Sequence, residues 1–177
     1  MKIININRKS IVSKSFLSPL LQLTKIPENL YIKGNLPTSR PPVVAIIGTR
    51  RPTPYGREVT QTLATDLARS GAVVVSGLAT GIDTIAHTAT LDAGGMTIAV
   101  LAQGLHSIYP ASNRGLAERI TKNGALITEY EMGEEARKYH FLARNRIVSG
   151  LADAVIVIEA ARPKWDILDG CARSRAE

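Results

Sequence analysis

The sequence has little of what secreted and membrane-bound proteins use. Its single cysteine, Cys171, cannot form an intramolecular disulfide, so the cysteine content does not point to an oxidising compartment. No run approaches the roughly 20 apolar residues that a helix needs to cross a bilayer. The apolar stretch at residues 16–21 is short, contains Pro19 and is followed by no cleavage pattern of small residues. We therefore expect a cytoplasmic protein.

Several enzyme motifs are also missing. No Gly-x-x-x-x-Gly-Lys-(Ser/Thr) loop is present, which argues against a P-loop that hydrolyses nucleoside triphosphates. The first predicted strand ends in Gly48-Thr49-Arg50 rather than in the dinucleotide-binding pattern Gly-x-Gly-x-x-Gly. The histidines His87, His106 and His140 are widely separated and complete no metal-site spacing with one cysteine. We predict no catalytic centre, no cofactor and no metal site.

The positive charge is concentrated near the start of the chain. The 177 residues, 45% of them hydrophobic, suffice for one domain, and 22 Lys and Arg against 15 Asp and Glu give a net charge of +7. Residues 1–40 hold seven of the basic side chains and one acid, a net charge of +6. Such a charge attracts polyanions only diffusely. We predict a basic arm and lead-in segment at 1–40, with an extended stretch that ends at Leu36-Pro37, then a folded domain at 41–161 and a divergent or truncated tail at 162–177.

Five continuous apolar runs alternate with helical patterns. The runs predict strands that are covered on both faces, and helix spacing with glycine stops separates them. We predict strands at 43–47, 72–75, 97–101, 125–128 and 154–158, with helices at 55–70, 82–93, 114–122 and 141–149. This order specifies an α/β fold, a Rossmann-like doubly wound, mostly parallel sheet with helices on both faces.

Two of the predicted strand-to-helix loops suit an anion. Ligands of such sheets bind beyond the carboxyl ends of the strands. Residues 76–81 combine two glycines with two hydroxyl side chains, so that backbone N–H groups and the helix dipole can face a phosphate. Residues 48–51 add the guanidiniums of Arg50 and Arg51, which suit bidentate phosphate binding. The alternative is that Gly77 and Gly81 only permit a tight turn and that the arginines are ordinary surface residues.

A third basic segment, residues 137–146, mixes cations with aromatic rings. Single-stranded nucleic acid needs charge for its phosphates and flat faces for its unpaired bases, and Tyr139, His140 and Phe141 supply the rings. In the alternative interpretation, Phe141 belongs to the core and the arginines form a solvated helix face. Asp83 and His87 lie four residues apart on one predicted helix face, and we interpret that pair as structural.

These motifs occur in an order that resembles the DNA-processing protein A family (DprA, also called Smf). The resemblance covers roughly residues 27–161. The matching segments are Pro-Glu-Asn-Leu-Tyr-Ile-Lys-Gly-Asn-Leu at 27–36, Val-Ala-Ile-Ile-Gly-Thr-Arg at 44–50, Thr-Pro-Tyr-Gly at 53–56, Ser-Gly-Leu-Ala-Thr-Gly-Ile-Asp at 76–83 with Ala86-His87, Gly104 with Tyr109-Pro110 and Asn113, Gly-Ala-Leu-Ile-Thr-Glu-Tyr at 124–130, and His140-Phe141 with Arg-Asn-Arg-Ile-Val-Ser-Gly-Leu at 144–151.

The resemblance implies a non-catalytic, cytoplasmic protein that binds single-stranded DNA. Such a protein protects incoming strands during natural transformation of competent cells and helps to load the RecA recombinase onto them. Family members are typically homodimers with a basic groove at the ligand end of the sheet. Carried over to this sequence, the predicted DNA- and phosphate-binding residues are Gly48, Thr49, Arg50, Arg51, Ser76, Gly77, Gly81, Asn113, His140, Phe141, Arg144, Asn145 and Arg146.

The sequence departs from the family after Ala161, where a Ser-Gly-(Ser/Thr) turn is usual and Arg162-Pro163 follows instead. An alternative function is a sensor of a small nucleotide-derived ligand, or an enzyme similar to the phosphoribohydrolases, which share a related fold. The Pro-Gly-Gly-x-Gly-Thr motif of those enzymes is missing. Glu129 and Glu159 follow predicted strands, at positions where a catalytic carboxylate could lie.

Overall fold

The computed structural model describes residues 2–5 and 15–160. The predicted tail at 162–177 and residues 6–14 of the predicted arm lie outside this range. The strands are β1 (Lys2–Asn5), β2 (Asn29–Gly34), β3 (Val43–Gly48), β4 (Val73–Ser76), β5 (Thr97–Val100), β6 (Gly124–Thr128) and β7 (Ala154–Ile158). The helices are α1 (Pro54–Arg69), α2 (Ile82–Asp92), α3 (Arg114–Lys122) and α4 (Lys138–Leu151), with 3₁₀ segments at Ser15–Gln22 and Ala111–Asn113.

The strands form one sheet in the order β1-β2-β6-β5-β4-β3-β7. β3 to β7 are parallel, whereas β1 and β2 are antiparallel to their neighbours. The predicted Rossmann-like sheet is therefore confirmed, and its five predicted strands are the parallel ones. β2 lacks a continuous apolar run, because it reads Asn-Leu-Tyr-Ile-Lys-Gly, and the sequence pattern predicted only an extended segment there.

Helices cover both faces of the sheet because successive strand side chains point to opposite sides. On β4, Val74 packs with Ala64 of α1 and Ala86 of α2. Its neighbours Val73 and Val75 belong to the core on the other face, which includes Ile147 of α4. The same core contains the lead-in side chains Phe16, Leu17, Leu20, Leu23 and Leu30. The lead-in segment thus completes the layer beside α4.

The strand order reverses next to β3. Along the chain, β3, β4, β5 and β6 are added side by side, and the chain then returns to place β7 on the opposite side of β3. The chain that leaves β3 leads to α1 on one face of the sheet, whereas α4, which precedes β7, covers the other face. The carboxyl ends of β3 and β7 therefore lie at the point where the strand order reverses, which is where ligands bind in open α/β sheets.

His87 on α2 is fully buried and is held in one tautomer. Its Nδ1 lies 2.7 Å from the hydroxyl of Thr97, and that hydroxyl donates to the carbonyl of Val74. The hydroxyl must therefore accept from Nδ1–H, which leaves Nε2 unprotonated. Nε2 is buried without a hydrogen-bond partner among the described residues. Burial, with a smaller contribution from the charge of Arg144, lowers the pKa of His87 to about 3.

This burial predicts a loss of stability in acid. The histidine is protonated below about pH 6.5 in the unfolded chain and only below about pH 3 in the fold. The contribution of neutral His87 is complete above pH 6.5, and up to about 1.4 kcal/mol is lost per pH unit between these values. We expect His87→Gln to flatten the pH dependence of the free energy of unfolding over this range, measured by urea denaturation at several pH values. Equal slopes for wild type and His87→Gln would contradict the prediction.

Candidate functional site

A cleft of about 590 Å³ lies at the carboxyl ends of β3 and β7, where the strand order reverses. Eight of the predicted binding residues line it. These are Gly48, Thr49, Arg50, Arg51, Gly77, Phe141, Arg144 and Asn145. The cleft also contains Leu142 from α4, Asp83 from α2, and Val157 and Glu159 from the end of β7. It therefore brings together residues from both faces of the sheet.

The loop after β3 presents two guanidiniums to the cleft. A side chain at Gly48 would collide with the carbonyl oxygen of Ile158, so glycine lets β3 and β7 approach each other closely. The backbone N–H of Thr49 donates to the same carbonyl, and the N–H of Arg51 donates to the Thr49 hydroxyl. Arg50 and Arg51 are exposed, and neither forms an ion pair within the described part of the chain.

The planar guanidinium of Arg50 lies next to two aromatic rings that contact each other. Its guanidinium carbon lies 5.4 Å from the ring centroid of Phe141, a cation–π distance. Phe141 in turn meets the edge of Tyr109, with ring centroids 5.8 Å apart and an interplanar angle of 62°. Tyr109 is 53% exposed and was not among the predicted site residues, because it lies in the loop between β5 and α3 rather than directly after a strand. Its only sequence signal was the Tyr109-Pro110 motif.

The loop at 76–81 is folded around a carboxylate of its own chain. The backbone N–H groups of Gly77 and Ala79 both donate to one oxygen of Asp83, at 3.1 and 3.2 Å. Ser76 is fully buried and donates to the carbonyl of Ile46. Gly81, at φ +83°, passes so close to the carbonyl of Thr49 that a side chain would collide. Asp83 thus occupies two backbone donors that the sequence pattern assigned to phosphate.

Arg144 is buried at the inner wall of the cleft, 5% exposed. It donates to the carbonyls of Gly77 (2.6 Å) and Val100, and its Nε donates to the Asn145 side chain. A Cβ at Gly77 would collide with this guanidinium, so a larger residue there would displace Arg144 from its hydrogen bonds. Burial lowers the pKa of Arg144, and the charge of Asp83 opposes that shift. Burial likewise raises the pKa of Asp83 against the opposing effect of Arg144.

Five predicted residues do not line the cleft: Ser76, Gly81, Asn113, His140 and Arg146. His140 is buried, stacks on Tyr130 at 4.0 Å and approaches Glu134. Arg146 forms a two-point ion pair with Glu129, at 2.6 Å for each contact. Asn113 is buried and its side chain donates to Leu78 and Thr84.

Glu129 and Glu159, the two carboxylates at positions where a catalytic group could lie, are held by contacts within the protein. Glu129 accepts both contacts from Arg146. Glu159 accepts from the backbone N–H of Thr53 at 2.8 Å and from the Thr53 hydroxyl. Within residues 2–5 and 15–160, no cluster of three or more metal-ligating side chains occurs. No helix in these ranges is long and apolar enough to span a membrane.

The chain matches a known protein family over most of its length. Residues 8–164 match the model of the family described as DNA recombination-mediator protein A. The chain is 41% identical over 164 residues to DNA processing protein DprA from Bacillus subtilis, covering 92% of this chain and 55% of that protein. The DprA of Streptococcus pneumoniae is 39% identical over 168 residues, covering 95% and 59%. The chain therefore spans little more than half the length of these relatives.

Solved structures have a similar fold. The crystal structure of the Streptococcus pneumoniae protein covers 93% of this chain and 57% of its own, with a TM-score of 0.84 at 39% identity. A Helicobacter pylori DNA processing protein A, studied for its single-stranded DNA binding mode, gives 0.80 at 37% identity, with 89% of this chain and 73% of its own covered. A molybdenum cofactor binding protein from Rippkaea orientalis, at 0.53 and 21% identity over 76% of this chain and 71% of its own, shares the fold alone.

The buried charges predict coupled effects on stability. Arg144→Met leaves the buried carboxylate of Asp83 without its cation and should lower the free energy of unfolding by about 3–5 kcal/mol. The double variant Arg144→Met with Asp83→Asn should lose less than the sum of the two single variants, because the second change removes the uncompensated charge. Urea denaturation measures each value.

The exposed Arg57→Met on α1 is the matched control and should shift stability by less than about 0.5 kcal/mol. Strictly additive losses in the double variant would show that Arg144 and Asp83 do not depend on each other.

Proposed function

Because the chain belongs to the family of DNA recombination-mediator protein A, we propose that it binds single-stranded DNA in the cleft at the ends of β3 and β7. The observation that carries the proposal is the contact of the exposed guanidinium of Arg50 with the ring of Phe141, in a cleft that the exposed Arg51 also lines. Phosphates and unpaired bases need these two kinds of group side by side.

The guanidiniums of Arg50 and Arg51 bind the phosphates in the proposed function. Arg50 and Arg51 lie in a loop whose backbone is fixed by the contacts between Thr49 and Ile158. The position of this loop therefore depends on the sheet. Without an ion-pair partner among the described residues, the two side chains bind phosphate without first giving up an internal salt bridge.

The aromatic groups supply the preference for single strands. Phe141 lines the cleft and forms an edge-type ring contact with Tyr109. Bases in a duplex are stacked on each other and cannot lie on a protein ring, whereas unpaired bases can. The neighbouring Leu142, 62% exposed, extends the apolar surface along α4.

We propose that binding is not accompanied by catalysis. Glu129 is held by Arg146, and Glu159 caps the start of α1 through Thr53. Neither carboxylate is placed as a free base, which weakens the phosphoribohydrolase-like alternative. This geometry gives no support to an enzymatic function.

The wider role follows from the family resemblance and from the relatives. We propose that the cytoplasmic protein protects incoming single strands during natural transformation, assists RecA loading and acts as a homodimer. The relatives' sequences extend well beyond the part matched here.

Arg50→Ala should weaken binding to a thymidine oligonucleotide. The loss of one charge-assisted contact costs about 1–3 kcal/mol. It should also reduce the slope of log affinity against log salt by about 0.7, the value for one phosphate contact on a single strand. Fluorescence anisotropy at several salt concentrations measures both quantities.

The control is Arg69→Ala, which removes the same charge at the far end of α1, roughly 24 Å along the helix from its first residue. If Arg50→Ala and Arg69→Ala both bind the oligonucleotide with wild-type affinity, Arg50 is not a phosphate ligand. If duplex DNA binds the wild type as tightly as the single strand, the proposed function is wrong.

Phe141→Ala should lower oligonucleotide affinity by about 1–3 kcal/mol through the loss of base stacking. The salt slope should stay at the wild-type value, because no charge is removed. Phe141→Tyr keeps a ring in the same place and should retain most of the affinity. An equal loss in the alanine and tyrosine variants would indicate that Phe141 acts through the fold rather than by stacking.

A further inference from the structure

A carboxylate lines the cleft that is proposed to hold a polyanion. Glu159 follows β7 directly and shares the cleft with Arg50 and Arg51. Its backbone has φ +53°, in the left-handed region that residues other than Gly, Asn and Asp rarely adopt. The carboxylate of Glu159 repels phosphate, and its backbone conformation costs free energy. Other contacts must therefore stabilise Glu159 at this position.

The start of α1 supplies these contacts. Its carboxylate accepts from the backbone N–H and the hydroxyl of Thr53, the residue that caps α1. Gly56, in the first turn of α1, leaves room for it, since a Cβ there would lie 2.5 Å from the carboxylate carbon. The hydrogen bonds from Thr53 lower the pKa of Glu159, so the group is charged at neutral pH. The start of α1 therefore already holds an anion.

The next helix repeats this arrangement. Asp83, in the first turn of α2, accepts from the backbone N–H groups of Gly77 and Ala79. In nucleotide-binding members of such folds, the phosphates occupy the N–H groups at these loop-to-helix junctions. Here the protein's own carboxylates accept from backbone N–H groups near both junctions, Glu159 from the N-cap residue Thr53 and Asp83 from the loop before α2. Among the described residues, the guanidiniums of Arg50 and Arg51 remain without an ion-pair partner.

We propose that Glu159 is a specificity-determining residue, whose carboxylate excludes the terminal phosphate of free nucleotides from the cleft while the strand's phosphodiesters bind Arg50 and Arg51. The inference rests on the proposed function. A terminal phosphate carries about −1.5 to −2 charges at pH 7 and needs several donors, whereas a phosphodiester carries one charge. Close to a fixed carboxylate, the doubly charged group is repelled more strongly and finds the donors of Thr53 already occupied.

Two substitutions separate the effect of the negative charge of Glu159 from the effect of its side chain on the hydrogen-bond donors of Thr53. Glu159→Gln removes the charge and keeps a side chain of the same size. Glu159→Gly removes the side chain altogether, and glycine adopts φ +53° without strain. The matched control is Glu58→Gln, which removes one negative charge from an exposed position on α1. Thermal unfolding of each variant confirms that it is folded.

Isothermal titration with AMP and with a thymidine oligonucleotide lacking a terminal phosphate tests the inference. We expect the wild type and Glu58→Gln to bind AMP weakly. Affinity for AMP should rise at least about tenfold in Glu159→Gln and further in Glu159→Gly. The ratio of oligonucleotide to AMP affinity should fall accordingly.

Unchanged AMP affinity in both folded Glu159 variants overturns the inference, and so does an equal gain in Glu58→Gln, which would reflect net charge alone. The oligonucleotide tests the proposed function separately. If the wild type binds no oligonucleotide, the proposed function fails, while a gain of AMP binding at Glu159 still supports exclusion of terminal phosphates.

Discussion

The buried guanidinium of Arg144 connects the elements on which the cleft depends. From α4 it donates to carbonyls at the ends of β4 and β5, and it lies in the electrostatic field of Asp83 at the start of α2. A buried charge is tolerated only where several hydrogen bonds and an opposite charge compensate it. Because Arg144 requires these partners at once, the position of α4, and with it that of Phe141, is fixed relative to the strand ends.

The electrostatics of the cleft follow from that constraint. Asp83 and Glu159 accept hydrogen bonds within the protein, Asp83 from backbone N–H groups of the loop before α2 and Glu159 from the N–H of Thr53, which caps α1. The cationic charges of the cleft that face solvent are those of Arg50 and Arg51. In the proposed function, binding in this cleft therefore depends on side-chain cations and rings more than on backbone N–H groups. This division of roles distinguishes it from the phosphate loops that glycine-rich turns commonly form.

Sequence patterns predicted the parallel part of the fold well because its signals are local. The runs 43–47 and 154–158 are apolar throughout and both form strands, and α3 begins and ends where its pattern predicted. β7 is nevertheless not covered on both faces among the described residues, since it lies at the end of the strand order and Val157 is 36% exposed. β2 was predicted only as extended, since its pairing with β1 and β6 depends on residues far away in the sequence. The same patterns presented Arg144 and Arg146 as similar basic residues, although one is buried and the other pairs with Glu129.

The sequence by itself determined the α/β class, the segments that form the parallel strands and the loops that meet at their carboxyl ends. Periodicity and glycine placement carry this information within a few residues. The tertiary structure alone decided which cations remain exposed, which carboxylates occupy the helix starts and which ring lies beside Arg50. These outcomes depend on distances between residues far apart in the chain, such as Thr53 and Glu159, and on burial, which no local pattern records.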